Sequence, residues 1–199
     1  MTISTASGIE AAVKITFFSL GAGTDISAEA YPDDALYVVL GGSGHFEPAG
    51  TAAAVHTGAA LLVRAGTLCG VCTAGGLVYL ELLSSQEIVM MNPLLAAGSV
   101  FKLADLLAVE PGSIVNMDVL SNDAVKLALM ALDAGAALPP HSAPCDALVL
   151  ALEGQGMIEY EGVRHTIRAG EQFRFAKGAL HSVAADGAPF KMALLLARK

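Results

Sequence analysis

Apolar residues in this chain cluster in short runs that glycine, proline or a charge closes. Val38-Val39-Leu40, Ala60-Leu61-Leu62-Val63 and Leu77-Val78-Tyr79-Leu80 are three of them. Runs of about four to eight residues, with turn signals roughly every 8–12 positions, predict the strands of a β-sandwich or barrel. Further on, the stretch from Met157 to Ile167 predicts two strands around a Glu161-Gly162 turn. No long segment repeats its apolar positions at the roughly 3.6-residue period of a helix. The fold class that follows is all-β. Between the halves, Met91-Asn92-Pro93 and Pro111-Gly112 break the pattern of residues 84–122. The apolar stretch Phe101–Val109 within it predicts an edge strand or a single helical turn.

The chain repeats itself at an offset of 112 residues. Lys14 recurs as Lys126, Gly23 as Gly135, and Pro32-Asp33-Asp34-Ala35-Leu36 as Pro144-Cys145-Asp146-Ala147-Leu148. Leu40-Gly41-Gly42-Ser43-Gly44 recurs as Leu152-Glu153-Gly154-Gln155-Gly156, and Gly50, Gly58 and Gly66 as Gly162, Gly170 and Gly178. The match runs without a gap from residue 14 to about residue 83. Most matched positions are turn formers and small core residues, so the two halves should trace one backbone path. The organisation expected is an N-terminal domain at 1–83, an apolar linker packed against the domains at 84–114, and a C-terminal domain at 115–199.

Composition removes several alternatives. Hydrophobic residues make up 54% and charged residues 15%, with a mean hydropathy of +0.60. A spanning helix needs about 20 uninterrupted apolar residues, and runs such as Leu36–Phe46 and Ala65–Leu80 are short and interrupted. The first residues lack the basic start and continuous apolar stretch of a secretory signal, so a cytoplasmic location is expected. Three cysteines do not make a disulfide framework. A net charge of −8, with no basic run, argues against a nucleic-acid partner.

Candidate chemistry concentrates in the second half. Gly135 is followed by five residues and His141, and this motif closes at Leu152-Glu153-Gly154-Gln155-Gly156. Gly170 is followed by five residues, then Ala176-Lys177-Gly178, two residues and His181. On these two motifs the second half resembles the cupin superfamily over about residues 115–199, and the internal repeat extends the resemblance to the first half. It implies tandem double-stranded β-helix (jelly-roll) barrels, a bicupin, with three His and one Glu around a divalent metal inside a barrel. The sequence departs from that set. The second His position is Ala143 and the Glu position Ala147, leaving His141 and His181. In the first half the four positions read Glu29, Tyr31, Ala35 and Cys69.

Two imidazoles alone leave a metal mostly solvated, since catalytic sites use three protein ligands. Strand alternation turns Asp146 away from the interior if Ala147 points in, whereas Cys145 shares the parity of His141 and Ala143. A Cys145 thiolate could therefore complete a two-His, one-Cys site. Two His facing one cavity also offer polar anchors to an anionic or carbonyl-bearing small molecule. By correspondence Glu29, Tyr31 and Cys69 line a polar pocket in the first half. Cys69-Gly70-Val71-Cys72 has the spacing of a redox or zinc motif, but residues i and i+3 of a strand face opposite sides. His45, His56 and His165 read as surface residues.

Two functions fit these residues. One is small-molecule binding with a sensing or regulatory role, through His141 and His181, with Cys145, Glu29, Tyr31 and Cys69 as further lining. The other, implied by the resemblance, is a metal-dependent cupin enzyme, a dioxygenase or isomerase, using His141 and His181 with iron, zinc, manganese, nickel or copper. Exposed apolar strand edges leave a homodimer open.

Overall fold

The computed structural model describes residues 1–6, 13–84 and 90–198. The chain forms two compact units. The first takes in the described residues of Met1–Glu87 and Pro93–Lys102, the second those of Ile88–Asn92 and Leu103–Lys199.

Eight strands open the chain: β1 (Thr2–Ala6), β2 (Val13–Leu20), β3 (Thr24–Glu29), β4 (Ala35–Pro48), β5 (Ala53–His56), β6 (Ala59–Val63), β7 (Cys69–Thr73) and β8 (Leu77–Ser84). Two short strands follow, β9 (Met90–Met91) and β10 (Val100–Lys102). In the first unit the larger sheet runs β1-β2-β8-β4-β6-β10, and β3, β7 and β5 join the far half of β4 in a smaller sheet. Strand β4 thus serves both sheets, and its pairing with β8 shifts register between Val39 and Gly41. At the bend Gly42 has φ +81°, and the Gly76 carbonyl oxygen lies where a Cβ would project. Only glycine meets both conditions. Alternation places Ala35, Tyr37 and Val39 of β4 and Leu77, Tyr79 and Leu83 of β8 in one core with Phe46, Val55, Cys69 and Val71. The intervening Leu36, Val38, Leu80 and Leu82 are buried as well. The larger sheet is therefore apolar on both faces, which accounts for the high mean hydropathy.

The second unit contains β11 (Ile114–Ser121), β12 (Val125–Leu132), β13 (Ala137–Ser142), β14 (Asp146–Glu153), β15 (Gln155–Tyr160), β16 (Val163–Arg168), β17 (Gln172–Phe175), β18 (Leu180–Ala185) and β19 (Phe190–Ala197). Its sheets run β17-β14-β19-β12-β11-β9 and β13-β18-β15-β16. This is the plan of the first unit, with β4 divided at Gly154 into β14 and β15. Gly23, Gly42, Gly50, Gly58 and Gly66 have positive φ, and so do Gly135, Gly154, Gly162, Gly170 and Gly178. The repeat thus records where the backbone must enter a region that side chains disfavour. Asp34 accepts hydrogen bonds from Arg64 and the Ala65 amide; Asp146 accepts them from Arg174 and the Lys177 amide.

Two expectations change. The repeat is gapless only as far as β7: Thr73 to Leu77 in the first unit answers Ala185 to Phe190 in the second, one residue longer. Consequently Tyr37 faces Glu81 across β4 and β8, whereas its counterpart Val149 faces Leu194. The stretch expected as a linker at 84–114 is divided instead, because β9 pairs with β11, β10 pairs with β6, and β11 begins at Ile114. Both readings of Phe101–Val109 find a place, in the end of β10 and in a 3-10 turn at Leu103–Leu106. Among the described residues no helix is long and apolar enough to cross a membrane.

Candidate ligand site

Strands β13 and β18 lie side by side, and their register sets His141 opposite His181. On the other side of β18, Tyr160 of β15 is opposite His181. Partners in an antiparallel register share a face. Here it is the inner face, since His181 alternates with the core residues Val183 and Ala185. The two imidazole centroids are 4.3 Å apart and the rings are inclined by 56°. His141 is exposed, while His181 retains 5% of its accessible surface, so the pair leads from solvent inward. Phe175 stacks on His181 at 3.9 Å and 15°, and the rings of Tyr160 and Phe173 pack around Phe175. Phe175 is also the cross-strand partner of Ala147, whose small side chain leaves the ring its space.

Each imidazole is oriented in the same way, by the carbonyl two residues before it. His141 Nδ1 lies 2.9 Å from the Pro139 oxygen and His181 Nδ1 3.0 Å from the Ala179 oxygen. A carbonyl oxygen only accepts, so both Nδ1 atoms donate, and in the neutral rings both Nε2 atoms carry free lone pairs. No described residue hydrogen-bonds either Nε2. Burial lowers the His181 pKa from its ordinary 6.5, the Ala179 carbonyl opposes this, and the His141 charge lowers it further. A His181 ring kept neutral by burial accepts a hydrogen bond at Nε2, which favours ligands with a donor over the anionic or carbonyl-bearing molecule expected from the sequence.

The depressed pKa has a consequence for stability. As pH falls through 6.5, the unfolded chain takes up the His181 proton before the folded one does, so stability falls. The loss is complete once the pH has passed below the folded value. Urea midpoints measured from pH 8 to 5 should drop over this interval in the wild type and drop less in His181→Gln. Equal slopes would mean that His181 is not held neutral by burial.

The donor set does not fit a resident metal. Ala143 and Ala147 are buried at the two remaining positions and offer no donor. Cys145 lies in the turn between β13 and β14, beyond the end of the His141 strand. Burial raises its thiol pKa, and the charges that bear on it are those of Arg198, Asp146 and Lys177. Asp146 is held by Arg174 at 2.9 Å and by the Lys177 amide at 2.8 Å. Among the described residues no three His, Cys, Asp or Glu side chains are arranged to hold a metal ion.

In the first unit Glu29 faces Cys69 across β3 and β7, in the register that sets His141 opposite His181. The Tyr31 hydroxyl donates to Glu29 Oε2 at 3.4 Å. Cys69 Sγ donates to the Gly70 carbonyl oxygen, and burial raises its pKa. Cys72, half-buried, donates instead to Glu47 Oε1 at 3.8 Å, and all three cysteines are free. His45 and His56 are exposed, but His165 is half-buried, with its ring 5.0 Å from that of Phe173. Tyr160 and Phe175 were not singled out by the sequence motifs. Strand register brings Tyr160 to His181, whereas Phe175 meets it from the other sheet, where β17 pairs with β14.

Residues 128–196 match the family model described as the cupin domain. No curated protein matches the sequence. The Cupin 2 conserved barrel domain protein from Leptotrichia buccalis superposes with a TM-score of 0.80 at 24% identity, covering 100% of this chain and 89% of that one. The salicylate 1,2-dioxygenase of Pseudoaminobacter salicylatoxidans, as a point mutant in complex with gentisate, gives a TM-score of 0.71 at 10% identity, covering 98% of this chain and 74% of that one. Protein Ylba from E. coli gives 0.65 at 12% identity, covering 98% and 82%. The fold is that of the cupins.

Proposed function

With a cupin domain in the second unit, we propose that this chain is a bicupin that binds a small molecule at His141 and His181, in a sensing or regulatory role. The observation that carries the reading is the pair of Nε2 atoms left free by two Nδ1-to-carbonyl hydrogen bonds. Beside them stands a wall of Phe175, Phe173 and Tyr160. Two acceptors next to aromatic rings suit a flat apolar molecule that carries a hydroxyl or amide hydrogen.

Phenol and benzamide serve as probes, with benzoate as the anionic control, in thermal unfolding and calorimetric titration at pH 8. Binding of the first two should weaken about tenfold in His181→Ala, the loss of roughly one buried hydrogen bond, and stay unchanged in Cys145→Ala. Equal binding in wild type and His181→Ala, or a preference for benzoate, would place the ligand elsewhere.

A second reading, a metal-dependent dioxygenase or isomerase, keeps one observation in its favour. Rings that donate from Nδ1 to a carbonyl present Nε2 in the tautomer that metal ligands use. Plasma mass spectrometry separates the readings, after tag-free protein has been offered iron, zinc, manganese, nickel and copper. Stoichiometric metal that disappears in His181→Ala would promote the enzyme.

A further inference from the structure

The first unit buries a carboxyl group where the second has none. Glu81 of β8 is in register with Thr16 of β2 and Tyr37 of β4, and it is 2% exposed. It alternates with Leu77, Tyr79 and Leu83, which belong to the core between the two sheets. The residue in the same register of the second unit, opposite Ala128 and Val149, is Leu194. The strand framework therefore accepts an apolar side chain here, and the fold does not require the acid.

Its environment is incomplete. Glu81 Oε1 and the facing Thr16 Oγ1 are buried, and neither has a hydrogen-bond partner among the described residues. Burial is the main influence on the carboxyl and raises its pKa above the ordinary carboxylate value; the Lys14 charge and the Tyr31 and Tyr37 hydroxyls oppose the rise, and the Glu29 charge adds to it. Tyr31, half-buried, also reaches exposed Glu29, so a polar path leads from solvent to Glu81. Around it, the rings of Phe18, Tyr37, Phe46 and Tyr79 pack with centroids 4.8 to 5.9 Å apart.

We propose that the interior of the first unit is a second ligand site, which takes a small primary ammonium ion, with Glu81 as its anchor and Glu29 and Tyr31 at its entrance. An ammonium group has three donors and no acceptor. It therefore answers the unpartnered Glu81 Oε1 and Thr16 Oγ1 together, and the aromatic faces attract its charge. Two carboxyls along the path oppose an anion. A metal ion is a poorer match, because the described residues bring no three metal-ligating side chains together and the Cys69 thiol is committed to the Gly70 carbonyl.

The test uses the full chain with ethylammonium chloride, against sodium chloride and tetramethylammonium chloride at equal ionic strength. The melting temperature should rise saturably with ethylammonium alone, with a half-point on the order of 1–10 mM. Glu81→Gln should shift the half-point at least tenfold, whereas His181→Ala should leave it in place, which separates this site from the histidine pair. Glu29→Gln, at the exposed entrance, should shift it about threefold and gives a readout even if Glu81→Gln fails to fold. Absence of a saturable rise in the wild type, an equal response to tetramethylammonium, or unchanged half-points in both Glu variants would overturn the proposal. Buried water would then be the partner of Glu81.

Discussion

Gly154→Ala should destabilise the second unit by about 3–5 kcal/mol, near the upper end of single-residue effects. Two penalties combine at this position. Gly154 has φ +77°, where a Cβ alone costs on the order of 1–2 kcal/mol. The new Cβ would also meet the Pro189 carbonyl oxygen, a backbone atom that cannot rotate away. Gly162 isolates the first penalty, because its φ is +80° but nothing lies within 4 Å of the point where a Cβ would project. Gly162→Ala should therefore cost only that first penalty, about 1–2 kcal/mol. Gly42→Ala should repeat the large effect in the first unit against the Gly76 carbonyl. Urea unfolding followed by circular dichroism orders the three variants. If Gly154→Ala and Gly162→Ala unfold together, close backbone approach at the β14–β15 bend is not what requires glycine.

Phe175→Ala should cost about 3–5 kcal/mol as a large-to-small change in a close-packed core. The ring is 1% exposed, lies on His181 and faces Ala147, which is too small to fill the space. The same change admits water to His181, so its pKa should climb back toward 6.5. Denaturation reports the first effect and an NMR titration of the His181 ring protons the second. Loss of stability with an unmoved His181 pKa would mean that Phe175 does not shield the imidazole.

The architecture was legible in the sequence because glycine is tied to backbone geometry. Five glycine pairs at one offset mark five pairs of positive-φ positions, and the strands between them follow. The one-residue insertion before β19 was not legible, since Gly75 and Gly187 match in sequence although only Gly187 has positive φ. The histidine pair was legible as two motif positions, and the register sets them opposite each other. The aromatic wall was hidden because Tyr160 reaches His181 through a strand pairing and Phe175 by stacking from the other sheet, and no local spacing encodes either contact. Glu81 did leave a signal. It is the one charge in the apolar run Leu77–Leu83, on the inward parity of Tyr79, where an exposed face would have carried several. The tautomers were beyond the sequence altogether, since they depend on where Pro139 and Ala179 direct their carbonyl groups.

The histidine tautomers are the most direct test of the proposed site. Long-range proton–nitrogen NMR of the 15N-labelled protein at pH 8 distinguishes a protonated from an unprotonated ring nitrogen in each residue. Expected for both His141 and His181 is a protonated Nδ1 with an unprotonated Nε2. A protonated Nε2 in either ring, or averaging between the two forms, would contradict the paired acceptors on which ligand binding in the second unit rests.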